Sequence, residues 1–491
     1  MSGGGFADAE ATGQARIVLT PHPLQRVGAY ALAALGGGSD PEGLGAEGFR
    51  AGFAVVVRDA VEASVRESKA VDGFWQKASL SFFPNAPMNH PGRWKGRTAD
   101  GRAKSAEDVR RSVREWLSMP EPASWPAAGC VLCGRRSVGF FGKRDVVLAE
   151  SEAYRNTTPR GHEGMALCWP CVCCFYALPY GAQLSGGSSV AVHSWDEGFL
   201  RRAVGLQAGR NLRIAATGNV AGKQDTVREV VALEALRGYG ARLADGVELL
   251  VFNNNNRGQL LESHGLAQPL AEWLRRTCRL AERRRGFRAL VRAHTSPHTR
   301  GVVALARNAF RDPERIVGVG VRYLGSVVSA HEPDREEVGA LAGLLFSFAT
   351  EVMQVIEKDL AEIRETARRV GGLLAAQESR GPLRRLRAYL REPSRLRGWL
   401  TRRGVEWAGA KHEEAAGPLV SERAWVLLFD PSPENPAWFH RDLLLVGVLE
   451  ELSRRGWQAA GEADDEDAVA ALHEEDQEWT SDMDEDGEDQ R

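Results

Sequence analysis

Cys130-Val-Leu-Cys133 and Cys168-Trp-Pro-Cys171 are the two stretches from which this sequence is best interpreted. Six of the seven cysteines fall between residues 130 and 174. Each stretch is a C-x2-C pair, and two pairs supply the four thiolates of a closed tetrahedral zinc site. We therefore predict a structural Zn2+ held by these four cysteines. The ion would contribute folding free energy that a loop-rich segment cannot obtain from its own core.

The two cysteines that follow the second pair leave its assignment open. Cys171 and Cys174 also have C-x2-C spacing, so they could serve as the second pair of ligands. Cys173 and Cys174 lead into the apolar run 175–178, which favours packing, because a free cysteine behaves as a small apolar side chain. This packing favours Cys168, rather than Cys174, as the zinc ligand that pairs with Cys171. The alternative is that all six are core thiols without a metal.

A catalytic zinc would keep an open coordination position, and four cysteines leave none. The enzyme alternative is a metal-dependent nuclease of the His-Asn-His type, which also contains paired C-x2-C knuckles. Residues 134–167 offer Asn156 and the pair His162-Glu163 but no second histidine. The sequence also lacks a P-loop, a G-x-G-x-x-G after a strand, HExxH and G-x-S-x-G. We predict that the chain is not an enzyme.

The formal net charge of −2 conceals a strong asymmetry along the chain. Residues 461–491 contain 15 Asp and Glu against one Arg, which leaves 62 Lys and Arg against 50 Asp and Glu elsewhere. A basic body of this kind favours a phosphate-rich partner. The tail is too acidic to fold alone, and we predict a disordered, solubilising end. The alternative is that it competes with nucleic acid for the basic body.

Composition places the chain among ordinary globular proteins, with 43% hydrophobic and 26% charged residues. No apolar run reaches the roughly 18 residues of a membrane-spanning helix. The first residues have neither the basic nor the apolar region of a signal peptide. We expect a cytoplasmic protein with no membrane partner, where paired cysteines indicate metal rather than disulfide.

The predicted fold class is α+β, with a mixed N-terminal domain, an inserted zinc ribbon and a C-terminal helical bundle. A strand is expected at Ala15–Leu19, and the apolar stripe of 23–35 predicts a helix. Residues 246–252 predict a buried strand, 264–310 look helical, and a stripe over 336–369 predicts a long helix. The predicted boundaries are an α+β region 1–127, a zinc ribbon 128–182, a mixed continuation 183–334, a helical bundle 335–460 and the tail 461–491.

Two polar segments are candidates for contact with nucleic acid. The Pro-rich loop around residues 79–93 and the turn after the strand 246–252 both present amides beside cations. Asn can pair bidentately with adenine, and Arg with guanine or phosphate. The alternative is that the asparagines only stabilise turns. The candidate residues are Asn85, Asn89, Arg93, Lys95, Arg97, Asn253, Asn254, Asn255, Asn256 and Arg257.

Two arginine clusters are the strongest indication of a polyanionic partner. Residues 275–300 contain nine Arg and one Glu, and residues 379–404 again contain nine Arg and one Glu. A solvated helix face usually mixes charges, whereas unpaired Arg recognises phosphate bidentately. The alternative is that carboxylates elsewhere in the fold pair with them. The candidate residues are Arg283, Arg284, Arg285, Arg288, Arg384, Arg385, Arg387 and Arg391.

The order of these motifs resembles a known family. The segment Leu19-Thr-Pro-His22-Pro23-Leu24-Gln-Arg-Val-Gly28-Ala29 precedes Phe83-Pro84-Asn85, the two C-x2-C pairs, and Leu178-Pro179-Tyr180-Gly181. This arrangement over residues 15–260 resembles the CXXC–CXXC large subunits of type I CRISPR Cascade complexes, typified by subtype I-B. The C-terminal third resembles them only in helical character. The extra cysteines and the acidic tail depart from the family pattern.

The resemblance implies a role in RNA-guided antiviral defence. Such large subunits bind the guide-RNA complex, sense the short motif that flanks the target (the PAM), and help to open double-stranded DNA, while guide pairing reads the sequence. They are non-catalytic, join the backbone subunits of Cascade, and leave cutting to a recruited helicase–nuclease. The competing hypotheses are the nuclease above, a stand-alone zinc-ribbon DNA-binding regulator, and an interaction protein without nucleic acid.

Overall fold

The computed structural model describes residues 14–65, 74–89, 97–149, 164–184, 188–217, 227–254, 258–330, 333–377, 380–409 and 417–458. Its helices are α1 Pro23–Leu35, α2 Ala46–Ser64, α3 Phe74–Phe82, α4 Ala106–Trp116, α5 Trp169–Gly181, α6 Glu197–Thr217, α7 Arg228–Gly238, α8 Gln268–Arg279, α9 Arg284–Ala293, α10 Gly301–Arg311, α11 Arg315–Val328, α12 Arg335–Glu351, α13 Glu357–Ala375, α14 Gly381–Tyr389, α15 Pro393–Gly409, α16 Glu422–Phe429 and α17 Ala437–Arg454. The strands are β1 Gly139–Phe141, β2 Met165–Leu167, β3 Gln183–Leu184, β4 Ser189–His193, β5 Val247–Asn253 and β6 Leu260–Leu266. Short 3-10 turns lie at Pro87–Asn89 and Pro122–Ser124. The predicted α+β class is confirmed, with a helical C-terminal region.

The chain divides into two compact units, each with its own contacts. Unit 1 comprises the residues up to Phe287 together with His294–Ile316. Unit 2 comprises Arg288–Ala293 and the residues from Val317 onward. The division after Ile316 lies upstream of the predicted start of the helical bundle at residue 335.

Helix α5 is the centre of unit 1, and all 13 of its residues are buried. Helix α1 packs directly on it. A Cβ on Gly28 would lie 2.0 Å from the carbonyl oxygen of Cys174, so only glycine allows the two backbones to approach this closely. Aromatic rings from α2, α3 and α4 surround α5, including Phe53, Trp75 and Trp116. The core of unit 1 is thus built around the segment that begins with the second cysteine pair.

Two antiparallel sheets accompany this helical core. Strands β1 and β2 pair between the two cysteine pairs, with Phe140 opposite Ala166. The larger sheet has the order β3-β4-β5-β6, and all its pairings are antiparallel. Strand β5 is central and almost wholly buried, whereas β6 at the edge alternates between exposed and half-buried residues. The sheet therefore holds the end of β5, near Asn253, beside the core.

Unit 2 is helical throughout the part that the structure describes. Helix α17 packs against α12 and α13, and α16 packs against both α13 and α17. The Ser421 hydroxyl caps α16 by accepting from the backbone N–H of Ala424, and the Asp334 carboxylate caps α12 in the same way. Helices α14 and α15 pack against each other and carry the second arginine cluster.

Several local predictions need correction. Ala15–Leu19 forms no strand, although Ala15 and Ile17 are buried. Part of the predicted 79–93 loop is helical, because α3 continues to Phe82. Residues 264–266, at the start of the predicted helical segment 264–310, are instead the end of strand β6. The long helix over 336–369 is two helices, α12 and α13.

Within the described residues, no helix combines the length and apolarity that crossing a membrane requires.

Candidate metal centre and nucleic-acid surface

The first cysteine pair sits on a tight turn. The backbone N–H of Gly134 donates to the carbonyl of Cys130 at 2.8 Å, and the N–H of Cys130 donates to the carbonyl of Arg135 at 2.6 Å. Gly134 has a φ of +76°, a left-handed conformation that glycine adopts without strain. The turn therefore directs Cys130 and Cys133 to the same side.

The second pair occupies the start of the central helix. Cys168 is the residue before α5, and Cys171 lies in its first turn. The partial positive charge at a helix N-terminus favours thiolate over thiol. Both cysteines are buried. The rigid core helix thus fixes two of the four sulfurs, and the turn at Gly134 supplies the other two.

The four predicted ligand sulfurs converge. The Sγ atoms of Cys130, Cys133, Cys168 and Cys171 all lie within 4.8 Å of one another. The Sγ of Cys133 is 3.5 Å from that of Cys168 and 3.8 Å from that of Cys171. A tetrahedral ion with metal–sulfur bonds of about 2.3 Å would separate its sulfurs by about 3.8 Å. The cluster therefore fits one metal ion with four sulfur ligands.

The protonation of the cluster shows why a cation would stabilise it. Hydrogen bonding from Cys168 lowers the pKa of Cys130, and hydrogen bonding from Cys171 lowers the pKa of Cys133 to about 6. In return, the interaction with Cys130 raises the pKa values of Cys168 and Cys171. Four adjacent sulfurs cannot all ionise without a positive charge between them, and a metal ion supplies that charge.

Cys173 and Cys174 lie outside this cluster. Both are fully buried, and burial raises the pKa of each thiol. The Sγ of Cys174 accepts a hydrogen bond from the Gln25 side chain at 3.6 Å. Cys174 thus packs between α5 and α1, and Cys173 is part of the same buried core. The geometry thus selects Cys168 over Cys174 for the second pair.

Gln14 joins the two cysteine segments, although no sequence pattern predicted a role for it. Its side-chain oxygen accepts from the backbone N–H of Trp169 at 2.9 Å, and its side-chain nitrogen donates to the carbonyl of Arg136 at 3.0 Å. Gln14 is 2% exposed. Because both partners lie more than 120 residues away, no local pattern could have identified it.

Asn254 is a buried structural residue, which corrects its predicted place on a nucleic-acid surface. Its side-chain nitrogen donates to the carbonyls of Phe82 at 2.7 Å and Lys143 at 3.4 Å. Its side-chain oxygen accepts from the backbone of Leu148 at 3.2 Å and the side chain of Gln259 at 2.8 Å. Asn254 therefore ties together three loops that are remote in sequence.

This junction places the two predicted polar segments side by side. The backbone N–H of Asn254 donates to the carbonyl of Ser81, just before the loop that contains Asn85 and Asn89. Asn85 is exposed. Asn89 is half-buried and used internally, since its amide donates to the carbonyl of Phe83 and accepts from Ser79. Asn85 is thus better placed to contact a ligand than Asn89.

The other members of these segments are less informative. Arg97 is exposed and donates to the carbonyl of Gly101. Asn253 is half-buried at the end of β5. Five of the predicted contact residues lie outside the described residues: Arg93, Lys95, Asn255, Asn256 and Arg257. The acidic tail 461–491, and the Asn156, His162 and Glu163 of the nuclease alternative, also lie outside them.

The first arginine cluster is paired with acids only in part. Arg275 forms a two-pronged contact with Glu272, with both distances 2.7 Å, and Arg292 pairs with Glu337. Arg283 and Arg285 are half-buried. Arg284 in unit 1 and Arg288 in unit 2 are exposed, and neither side chain has a partner within the described part of the chain.

The second cluster, in unit 2, follows the same pattern. Arg395 pairs with Glu392 at 2.8 Å, and Arg403 pairs with Glu406. Arg384, Arg385 and Arg391 are exposed. The exposed side chains of Arg397 and Arg402 have no partner among the residues that the structure describes. Arg387 is half-buried. Partner carboxylates therefore account for some of the arginines but not for all of them.

Comparison with protein-family models, curated proteins and solved structures finds no match for this chain.

Proposed function

We propose that this chain is a zinc-stabilised, non-catalytic nucleic-acid-binding protein that acts as the large subunit of a type I CRISPR surveillance complex. The observation that carries the proposal is a set of exposed arginines that have no partner among the described residues: Arg284, Arg288, Arg397 and Arg402. Outside its acidic tail the chain has 62 Lys and Arg against 50 Asp and Glu. Exposed arginines without carboxylate partners suit a phosphate backbone.

We infer that the ion for the four-cysteine cluster is Zn2+. Four sulfur donors at tetrahedral spacing match the preference of zinc, and iron is the main competitor for the same ligands. With four protein ligands the site has no open position, so the ion would act by joining the turn at Cys130–Cys133 to the start of α5. Its role is therefore structural.

The place where the two polar loops meet is the basis for assigning a role to each part of the chain. Asn254 holds the loop of Asn85 against the end of β5, which provides one platform in unit 1 for sensing a short flanking motif and opening the duplex. The arginine-rich segments would follow the phosphates of guide RNA or target DNA. Cascade backbone subunits and a recruited helicase–nuclease would be the protein partners.

Charge reversal tests the electrostatic part of the proposal. The double variant R284E/R288E should bind labelled duplex DNA and single-stranded RNA more weakly, whatever their sequence. The slope of log affinity against log salt should fall by about one for each phosphate that the variant no longer neutralises. The matched control is R210E, because Arg210 is also exposed but pairs with Glu234 at 3.3 Å.

Two results would overturn the proposal. One is equal binding by R284E/R288E, the control and the unmodified protein across the salt range. The other is cation-dependent cutting of DNA by the purified chain, which would favour the nuclease hypothesis.

A further inference from the structure

Arg387 is a half-buried cation whose side chain has no partner among the residues that the structure describes. It lies on α14, and its guanidinium rests against the backbone of Gly325 in the part of α11 that belongs to unit 2. A Cβ on Gly325 would be 3.2 Å from Cζ of Arg387 and 3.3 and 3.4 Å from its two terminal nitrogens. Within the described residues the guanidinium has neither a hydrogen-bond acceptor nor an ion-pair partner. Burial lowers its pKa, and nearby Arg384 adds to the effect.

More positive charge surrounds this position. Arg384 lies three residues before Arg387 on α14, so these two share one side of the helix, and Arg391 follows just after the end of α14. Arg441, on α17, donates its Nε–H to the carbonyl of Leu390 at 3.0 Å, which brings another cation to the end of α14. Burial also lowers the pKa of Arg441. Further positively charged side chains thus lie around the end of α14.

Within the described residues, the carboxylate of Asp442 lies near some of these cations, but Arg387 is not one of those that act on it. Burial raises the pKa of Asp442 to about 6, although Arg441, Arg391 and Arg322 each act to lower it. A half-buried guanidinium without a partner is costly to maintain for stability alone. Because no partner for Arg387 is found among the described residues, a ligand is the source we infer for its counter-charge.

We propose that Arg387, with Arg391 and Arg441 beside it, forms a pocket for one phosphate group of a nucleic-acid strand. The pocket rests on the proposed function and deepens it, because it assigns a specific phosphate contact to unit 2. A guanidinium presents two parallel N–H groups that match two phosphate oxygens. Gly325 leaves the space in which Arg387 adopts this position, and a side chain there would push the guanidinium away.

The test compares two arginines of unit 2. The full-length variants R387A and R387K are compared with R397A, whose arginine is exposed and also unpartnered within the described residues. Binding of fluorescein-labelled single-stranded RNA and DNA is measured by anisotropy, and thermal unfolding is measured with and without inorganic phosphate. We expect R387A to lose about tenfold in affinity and R397A about twofold. R387K should lie between R387A and the unmodified protein, because lysine keeps the charge but loses the paired N–H groups.

Stability separates a ligand contact from a structural one. If Arg387 binds a phosphate, R387A should unfold at the same temperature as the unmodified protein or higher, since an uncompensated charge is removed. A clear fall in that temperature without added ligand would show a structural role and overturn the pocket. Equal affinities for R387A and R397A would also overturn it but leave the proposed function intact. If the unmodified protein binds no nucleic acid, the proposed function fails, and the nucleic-acid pocket fails with it. If inorganic phosphate then raises the unfolding temperature of the unmodified protein but not of R387A, Arg387 belongs to a site for free phosphate instead.

Discussion

Replacing Cys168 by serine removes one of four sulfurs from the predicted zinc centre at its most buried point. Cys168 is fully buried and precedes α5, the helix around which the core of unit 1 packs. Serine keeps a similar size but supplies a hydroxyl in place of a thiolate, so the tetrahedral sulfur set is incomplete. We expect C168S to lose the metal and to be obtained in much lower soluble yield, and C130S likewise.

The magnitude follows from comparing two free energies. Structural zinc contributes on the order of 10 kcal/mol in small zinc peptides, and whole domains are stable by only about 5–15 kcal/mol. Unit 1 has a large core of its own, so we expect a smaller loss, about 5 kcal/mol, because one end of α5 is released. A loss of that size lowers the unfolding temperature of a domain this large by roughly 10–20 °C.

The matched control is C173A. Cys173 is as deeply buried as Cys168 but lies outside the sulfur cluster. It should keep one zinc ion per chain and lose about 1 kcal/mol from reduced packing. The assay is elemental analysis of the purified protein together with thermal unfolding. If C168S retained a full equivalent of zinc and unfolded at the temperature of C173A, the cluster would not be a stabilising metal site.

Three further predictions concern the scaffold. G28A should lower the free energy of unfolding by about 1–3 kcal/mol or more, because its methyl would lie 2.0 Å from the carbonyl of Cys174; unchanged urea denaturation would contradict this close packing. N254A should lower the free energy of unfolding by about 2–3 kcal/mol in the same assay, because buried backbone groups lose their hydrogen bonds. If Asn254 served only to contact a ligand, N254A would leave the free energy of unfolding unchanged. Burial lowers the pKa of His440 below its ordinary value of 6.5, so the unfolded chain binds more protons just below that pH. The free energy of unfolding should therefore keep its full value above about pH 6.5 and decline toward pH 5, and H440Q should show a shallower decline. Equal pH profiles of this free energy for the two proteins would refute the prediction.

The parts of the fold that sequence predicted well are those set by local patterns. The C-x2-C spacing identified four sulfurs that the structure brings together. The helix Pro23–Leu35 was predicted at its observed bounds, because an apolar stripe follows a proline at the first helical position. The buried strand β5 was predicted from its continuous apolar run.

The parts that sequence missed depend on distant contacts or on turns without a marker. Asn254 stands in a row of amides that is typical of a surface turn, yet partners far along the chain bury it. The break between α12 and α13 contains Gln354 with a φ of +56° and no glycine or proline to reveal it. Strand β6 was not predicted, and its last residues fell in the predicted helical segment 264–310, because an exposed edge strand has no strong apolar alternation.

The central claim is that this chain works in a complex guided by RNA. The most direct measurement is to isolate the tagged protein from its native cell and to sequence the RNA that accompanies it. We predict short RNAs that share one repeat-derived handle and differ in their spacers, in the same fraction as the backbone subunits. Protein that is free of both RNA and partner subunits would contradict this claim, and only the proposed metal centre would then remain.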